Sequence, residues 1–176
     1  MKPYSEYRTI AFSRRGRVLE VTLNRPDQLN AIDELMHTEL ARLFPEISAD
    51  AACDVVILTG AGRAFSAGGD IQWMQAMVDN PAQFEQTARE AKQIVYGLLD
   101  CEKPVIAKVN GYATGLGATI ALFCDMIFAA DHAKIGDPHV SVGFVAGDGG
   151  AVIWPQLIGY ARAKEFLLTG DLIDAP

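Results

Sequence analysis

Twice in this chain a short, largely apolar run ends on or just before a glycine, and a glycine-rich turn that opens a helix follows. The first is "VVILTG" with "FSAGGDIQWM"; the second is "VIAKV" with "NGYATGLGATIALF". A largely apolar strand is the mark of burial on both faces, the pattern of parallel strands joined by helical crossovers. The alternation of strand and helix predicts an α/β domain with largely parallel pairing. "TIAFSRRGRVLEVTLNRP" reads as two strands about a turn at Arg15-Gly16. Val18, Leu19, Val21 and Leu23 form the second strand, and Pro26 ends it. Ile32, Met36, Leu40, Leu43 and Ile47 fall at helical spacing behind a capping Asp33. Residues 82–101 carry another amphipathic helix, and "MIFAADHAKIG" returns to strand. "AVIWPQLIGYARAKEFLLTG" reads as two short helices split at Gly159. No linker interrupts the pattern, so residues 1–176 read as a single domain large enough for a real core.

Charge narrows the partners. With 15 Lys and Arg against 22 Asp and Glu, the net charge is -7. That argues against duplex nucleic acid and anionic membrane, which need a basic patch, and no lysine-rich helix suggests RNA. An anionic small ligand stays open, because a few lysines or a helix N-terminus can hold one. The apolar runs fall short of a membrane span, and "MKPYSEYRTIAF" lacks a signal-peptide core. Cys53, Cys101 and Cys124 are odd in number and lack metal spacing, which reads as reduced thiols of a cytoplasmic protein.

Three stretches carry candidate chemistry. In the two glycine turns, backbone N–H groups can converge with no side chain in the way, each backed by a helix N-terminus. Two such donors aimed at a developing oxyanion are worth roughly 3–4 kcal/mol each. Neither turn is a phosphate loop: GxxxxGK[ST] is absent, and "GLGATI" lacks the third glycine of a dinucleotide fingerprint. The third stretch is "GDPHVSVGFVAGDGGAV", whose only titratable groups are Asp137, His139 and Asp148. His139 suits a general base, and Asp148 is the acid expected to hold one of its ring nitrogens. Asp137, before Pro138, reads as a turn residue. His37 and His132 read as surface residues, and no two of the three histidines have metal-ligand spacing with an acid, so no metal site is expected. Asp70 reads as a helix cap. Trp73, Met74 and Met77 divide between pocket lining and core.

"RPDQLNAID", "GRAFSAGGDI", "KPVIAKVNGYATGLGATIALFCDMIFA" and "DPHVSVGFVAGDGGAVIWPQLIG", in this order and spacing, resemble the crotonase (enoyl-CoA hydratase/isomerase) family over essentially the whole chain. The resemblance implies a crotonase-like spiral of ββα turns, two nearly perpendicular sheets wrapped by helices, and homotrimers that pair into hexamers. It implies an acyl-CoA thioester or related small carbonyl substrate, with coenzyme A as part of the substrate and no permanently bound cofactor. By position, the oxyanion donors are the N–H groups of Gly69 and of Leu116, a leucine where the family usually has glycine. CoA is implied along Gln28, Leu29 and Ala31, with its adenine near Ala64, Ser66 and Ala67. Asp70, Trp73, Gly115 and Thr119 complete the implied substrate contacts.

Two departures matter. The glutamate pair of the family's hydratases belongs at Thr119 and His139, and both glutamates are missing. The His139–Asp148 pair instead resembles the β-diketone hydrolase branch, typified by oxocamphor hydrolases, in which water attacks a ketone and a C–C bond breaks. The chain stops at "TGDLIDAP", where family members continue, so the family's C-terminal helical part is expected to be missing. Three readings follow: an enoyl-CoA hydratase or isomerase, a His–Asp hydrolase of a C–C or thioester bond, and a degenerate crotonase that binds CoA or assembles without turnover.

Overall fold

The computed structural model describes residues 4–175; the ends of the predicted 1–176 domain, residues 1–3 and 176, lie outside the described residues. The chain opens with the expected hairpin, β1 (Ile10–Arg15) and β2 (Val18–Leu23), paired antiparallel. Helix α1 (Glu34–Ser48) follows, capped by Asp33, whose side chain accepts from the Met36 N–H at 2.9 Å. Then come β3 (Val55–Gly60), β4 (Ala64–Ser66), α2 (Ile71–Val78) and α3 (Pro81–Leu99). The next unit is β5 (Val105–Val109), β6 (Tyr112–Thr114) and α4 (Leu116–Phe123). The last is β7 (Met126–Ala129), β8 (Lys134–Gly136), α5 (Gly150–Thr169) and β9 (Leu172–Asp174). Gly159, at φ 77° and ψ 158°, breaks α5 into two segments, as its sequence predicts.

The order is a strand pair and then helix, repeated. Both strands of the first pair and the first strand of each later pair join a five-stranded sheet in the order β1-β2-β3-β5-β7, where all pairs but the hairpin are parallel. In the later units the second strand joins a smaller sheet, β4-β6-β8-β9, parallel except at β8–β9. The second strands were the part that periodicity missed. Each of β4, β6 and β8 is three residues long, too short for an alternation to register, so they read as turn or as one continuous strand.

The core lies between the large sheet and its helices. Leu19, Val21, Leu23, Val56, Leu58, Val105, Ala107 and Val109 come from the strands, and Met36, Leu40, Leu43, Phe44 and Ile47 from α1. Cys53, Cys101 and Cys124 are free thiols. Among the described residues, no helix is long and apolar enough to cross a membrane.

Helix α4 is pressed against β4 at Gly117. A Cβ there would lie 2.7 Å from Cβ and 2.9 Å from the carbonyl oxygen of Ser66, which is buried. Gly117→Ala must push α4 off β4. It is expected to cost about 1–3 kcal/mol, read as a lower urea midpoint at unchanged slope.

Candidate active site

Parallel pairing of β4, β6 and β8 delivers three loops to one end of the small sheet. They are Ala67–Asp70 after β4, Gly115 after β6, and Asp137–His139 after β8. Ligands of parallel sheets gather at the carboxyl ends of the strands. The first two loops abut. Gly68 (φ 82°) and Gly115 (φ 52°) occupy the left-handed region, and a Cβ on Gly68 would lie 2.8 Å from the Thr114 carbonyl oxygen. Only glycine allows this approach. The Gly115 N–H donates to the Gly136 carbonyl at 3.0 Å, tying the second loop to the third.

Among the described residues, the N–H groups of Gly69 and Leu116 have no hydrogen-bond partner. Leu116 is the first residue of α4, where N–H groups are free by geometry. Asp70 is the cap of α2, accepting from the N–H groups of Gln72 and Trp73 at 3.0 and 3.2 Å. Met74 lies over Gly69: a Cβ there would meet its sulfur at 2.9 Å.

The two segments expected to carry CoA run side by side. The Ala67 N–H donates to the Leu29 carbonyl at 3.0 Å, and the Ser66 hydroxyl to the Asn30 carbonyl at 2.8 Å. Asn30 is the residue sequence reasoning missed. Fully buried at φ 54°, it donates its side-chain amide to the Ala61 and Ala64 carbonyls and accepts from the Arg25 N–H. Gln28 is exposed beside it, and Ala31 is half-buried.

The third loop changes the expected pairing. The carboxylate at Nδ1 of His139 is Asp137, not Asp148. Asp148 faces the other nitrogen, its Oδ2 at 3.5 Å from Nε2 with no hydrogen-bond partner of its own. Its Oδ1 accepts from the Thr119 hydroxyl at 3.1 Å and the Gly150 N–H at 3.3 Å. Asp137 does form a turn, accepting from the His139 N–H at 3.4 Å. Yet it is only 1% exposed, which a turn role does not require. The two-residue spacing hid this, because the contact depends on the 3₁₀ turn at Pro138–Val142.

Electrostatics follow from the crowding. Burial works against the charged imidazolium of His139, but the bond to Asp137 and the charges of both carboxylates outweigh it and raise its pKa. Burial also raises the pKa of Asp148, against the opposing pull of His139. The two groups thus retain a proton that separate residues would release more readily. Asp137, His139 and Asp148 bring potential ligand atoms within 4.8 Å of one another. We assign no metal to them, because Asp137 already occupies Nδ1.

The enoyl-CoA hydratase/isomerase family model matches residues 13–176. The chain belongs to the enoyl-CoA hydratase/isomerase family. It is 35% identical over 176 residues to the "Probable enoyl-CoA hydratase" of Rhizobium meliloti, covering 96% of this chain and 64% of that protein. It is 37% identical over 171 residues to the "Short-chain-enoyl-CoA hydratase" of Clostridium acetobutylicum, covering 97% of this chain and 65% of that one. The crystal structure of an enoyl-CoA hydratase/isomerase from Mycobacterium paratuberculosis superposes with TM-score 0.95 at 41% identity, covering 98% of this chain and 69% of that one. The crotonase-like fold is therefore established, over about two thirds of the length of these relatives.

Within this family member, His37 corrects a second expectation. It is 2% exposed, not a surface residue. Its Nδ1 meets Glu90 of α3 at 2.8 Å, and its ring lies 5.2 Å from that of Trp73. Leu40 and Phe44, three and seven positions on, are also buried, so the inward face of α1 is wider than the stripe read from sequence. His132 is exposed, as expected. Burial lowers the pKa of His37 despite the charges of Glu90 and Asp148.

A histidine with a lowered folded pKa favours the native state above its unfolded pKa, near 6.5. That contribution is lost as pH falls through the folded pKa. His37→Gln is therefore expected to flatten the loss of stability on acidification below about pH 6.5, read by urea unfolding of both proteins across that range.

Proposed function

We propose that this chain acts on an acyl-CoA thioester and adds water reversibly across an enoyl-CoA double bond. Gly69 and Leu116 donate their free N–H groups to the thioester oxygen. His139 and Asp148 stand in for the absent glutamate pair. The observation that carries the reading is the 3.5 Å approach of His139 Nε2 to an unpartnered Asp148 oxygen, beside Gly115. Thr119, at the position of the first missing glutamate, donates to Asp148 and so brings a carboxylate to that side.

The chemistry balances on one shared proton. The member of the pair without it takes a proton from water, and the hydroxyl bonds to the β-carbon. The π electrons move toward the thioester, and the negative oxygen that forms lies against the two N–H donors. The other member gives its proton to the α-carbon, and the pair ends with the proton inventory it started with. The CoA contacts at Gln28, Leu29, Ala31, Ala64, Ser66 and Ala67, the acyl contacts at Asp70, Trp73 and Gly115, and assembly into trimers or hexamers belong to the same proposal. So does a cytoplasmic setting.

One observation favours a second reading. An imidazole backed by a carboxylate at Nδ1 is the arrangement that activates water against a carbonyl, which breaks a C–C or thioester bond. Incubation with enoyl-CoA, β-ketoacyl-CoA and cyclic β-diketones in ¹⁸O-water separates the two by mass spectrometry. Label in a hydroxyl on intact acyl-CoA is the expected result, and His139→Ala should lower that rate by about 10²–10⁴-fold. Label in a new carboxylate would replace hydration by hydrolysis. Bound CoA with no label anywhere would make the protein a binding member of its family.

A further inference from the structure

We propose that Asp137 is a positioning residue for the reaction: through Nδ1 of His139 it fixes which ring nitrogen faces Asp148, so that Nε2 and Asp148 Oδ2 hold one proton between them. The proposal deepens the acid–base reading of the site and rests on it for its kinetic test alone.

The placement of Asp137 is costly for a turn residue. Its side chain is fully buried, and the one ion pair it makes among the described residues is with His139. Its second oxygen, Oδ2, has no hydrogen-bond partner. A carboxylate withdrawn from water is costly unless a close cationic partner offsets it. The fold also makes room for it, since a Cβ on Gly150 would lie 2.3 Å from Oδ2. Both the backbone N–H and the ring Nδ1 of His139 are directed at the same oxygen, Oδ1.

Held this way, Nδ1 keeps its hydrogen whether the ring is neutral or cationic, and Nε2 is the atom that titrates. Asp148 is held in turn by Thr119 and the Gly150 N–H at Oδ1, which leaves Oδ2 toward Nε2. Two forms of equal charge result: imidazolium with carboxylate, and imidazole with carboxylic acid. Each offers one acid and one base. The charges acting on His139 are Asp137 from its own turn and Asp148 from the loop before α5. The neighbours from the β6 loop and α4, Gly115 and Thr119, are uncharged, and His37 of α1 is coupled to Asp148 instead.

The test replaces charge and keeps shape. Asp137→Asn preserves an acceptor for Nδ1 and removes the negative charge. ¹⁵N-histidine NMR of the free protein reads the tautomer and titration of His139 directly. In the wild type Nδ1 should stay protonated throughout, with a midpoint above 6.5. In Asp137→Asn the midpoint should fall by roughly one unit or more. In turnover, loss of the shared proton then comes earlier as pH rises, so the alkaline limb of the kcat/KM profile should move to lower pH. A merely structural role would lower kcat/KM at every pH and leave that limb in place, which would overturn the proposal. Should the variant fail to fold, the wild-type spectrum decides alone: a hydrogen on Nε2 rather than Nδ1 in the neutral ring, or a midpoint below 6.5, would overturn it. If the NMR result holds and no water is added to any enoyl-CoA, the positioning stands and the hydration reading fails.

Discussion

The short parallel pairing of β4 with β6, Ala64 to Tyr112 and Ser66 to Ala113, sets the distance between two loops, and the proposed chemistry of the site depends on that distance. The strands are parallel, so both loops leave in the same direction, and each runs on into a helix. The approach at Gly68 and Thr114 is closer than any side chain permits. Gly117 and Gly111 extend the same constraint, since a Cβ on Gly111 would lie 2.1 Å from the Arg63 carbonyl oxygen. Small residues along this seam let backbone meet backbone. Backbone, unlike a side chain, presents N–H groups whose positions are fixed by the fold, which is the preorganisation that charge stabilisation needs.

Against this rigid frame the third loop supplies the titratable groups. Asp137, His139 and Asp148 form a continuous line of acid, imidazole and acid, with Thr119 at its far end. A line of this kind is stable only when each charge has a partner, and the fold provides them one by one: the 3₁₀ turn for Asp137, the N-terminus of α5 and the α4 hydroxyl for Asp148. Substituting both glutamates of a hydratase therefore need not empty the site of acid–base chemistry. In the proposed reading, Asp148 takes the place of the carboxylate that the family's hydratases carry at position 119, held there by a hydrogen bond from Thr119.

Much of the frame was legible in the residues. The apolar runs of β3 and β5, the period of α1, the caps Asp33 and Asp70 and the break at Gly159 each follow from local rules. What was illegible depended on partners distant in sequence. β4, β6 and β8 are strands only because they lie beside one another. His37 is buried because α3 brings Glu90 over it, 53 positions away. Asp137 looked like a turn residue because it is one; its second task exists only where Gly150 leaves space. Asn30 carried no signal beyond its place in "LNA", and its hydrogen bonds span more than thirty residues of sequence.

The account centres on two backbone N–H groups polarising one carbonyl, and infrared spectroscopy of a bound acyl-CoA carrying ¹³C at the thioester carbonyl addresses that most directly. Donors already aimed at the oxygen weaken the C=O bond before any reaction begins. The isotope-edited stretch is predicted to move to lower wavenumber on binding. A stretch unchanged from that of the free thioester, with binding confirmed in the same sample, would contradict the account, because it would place the carbonyl away from Gly69 and Leu116.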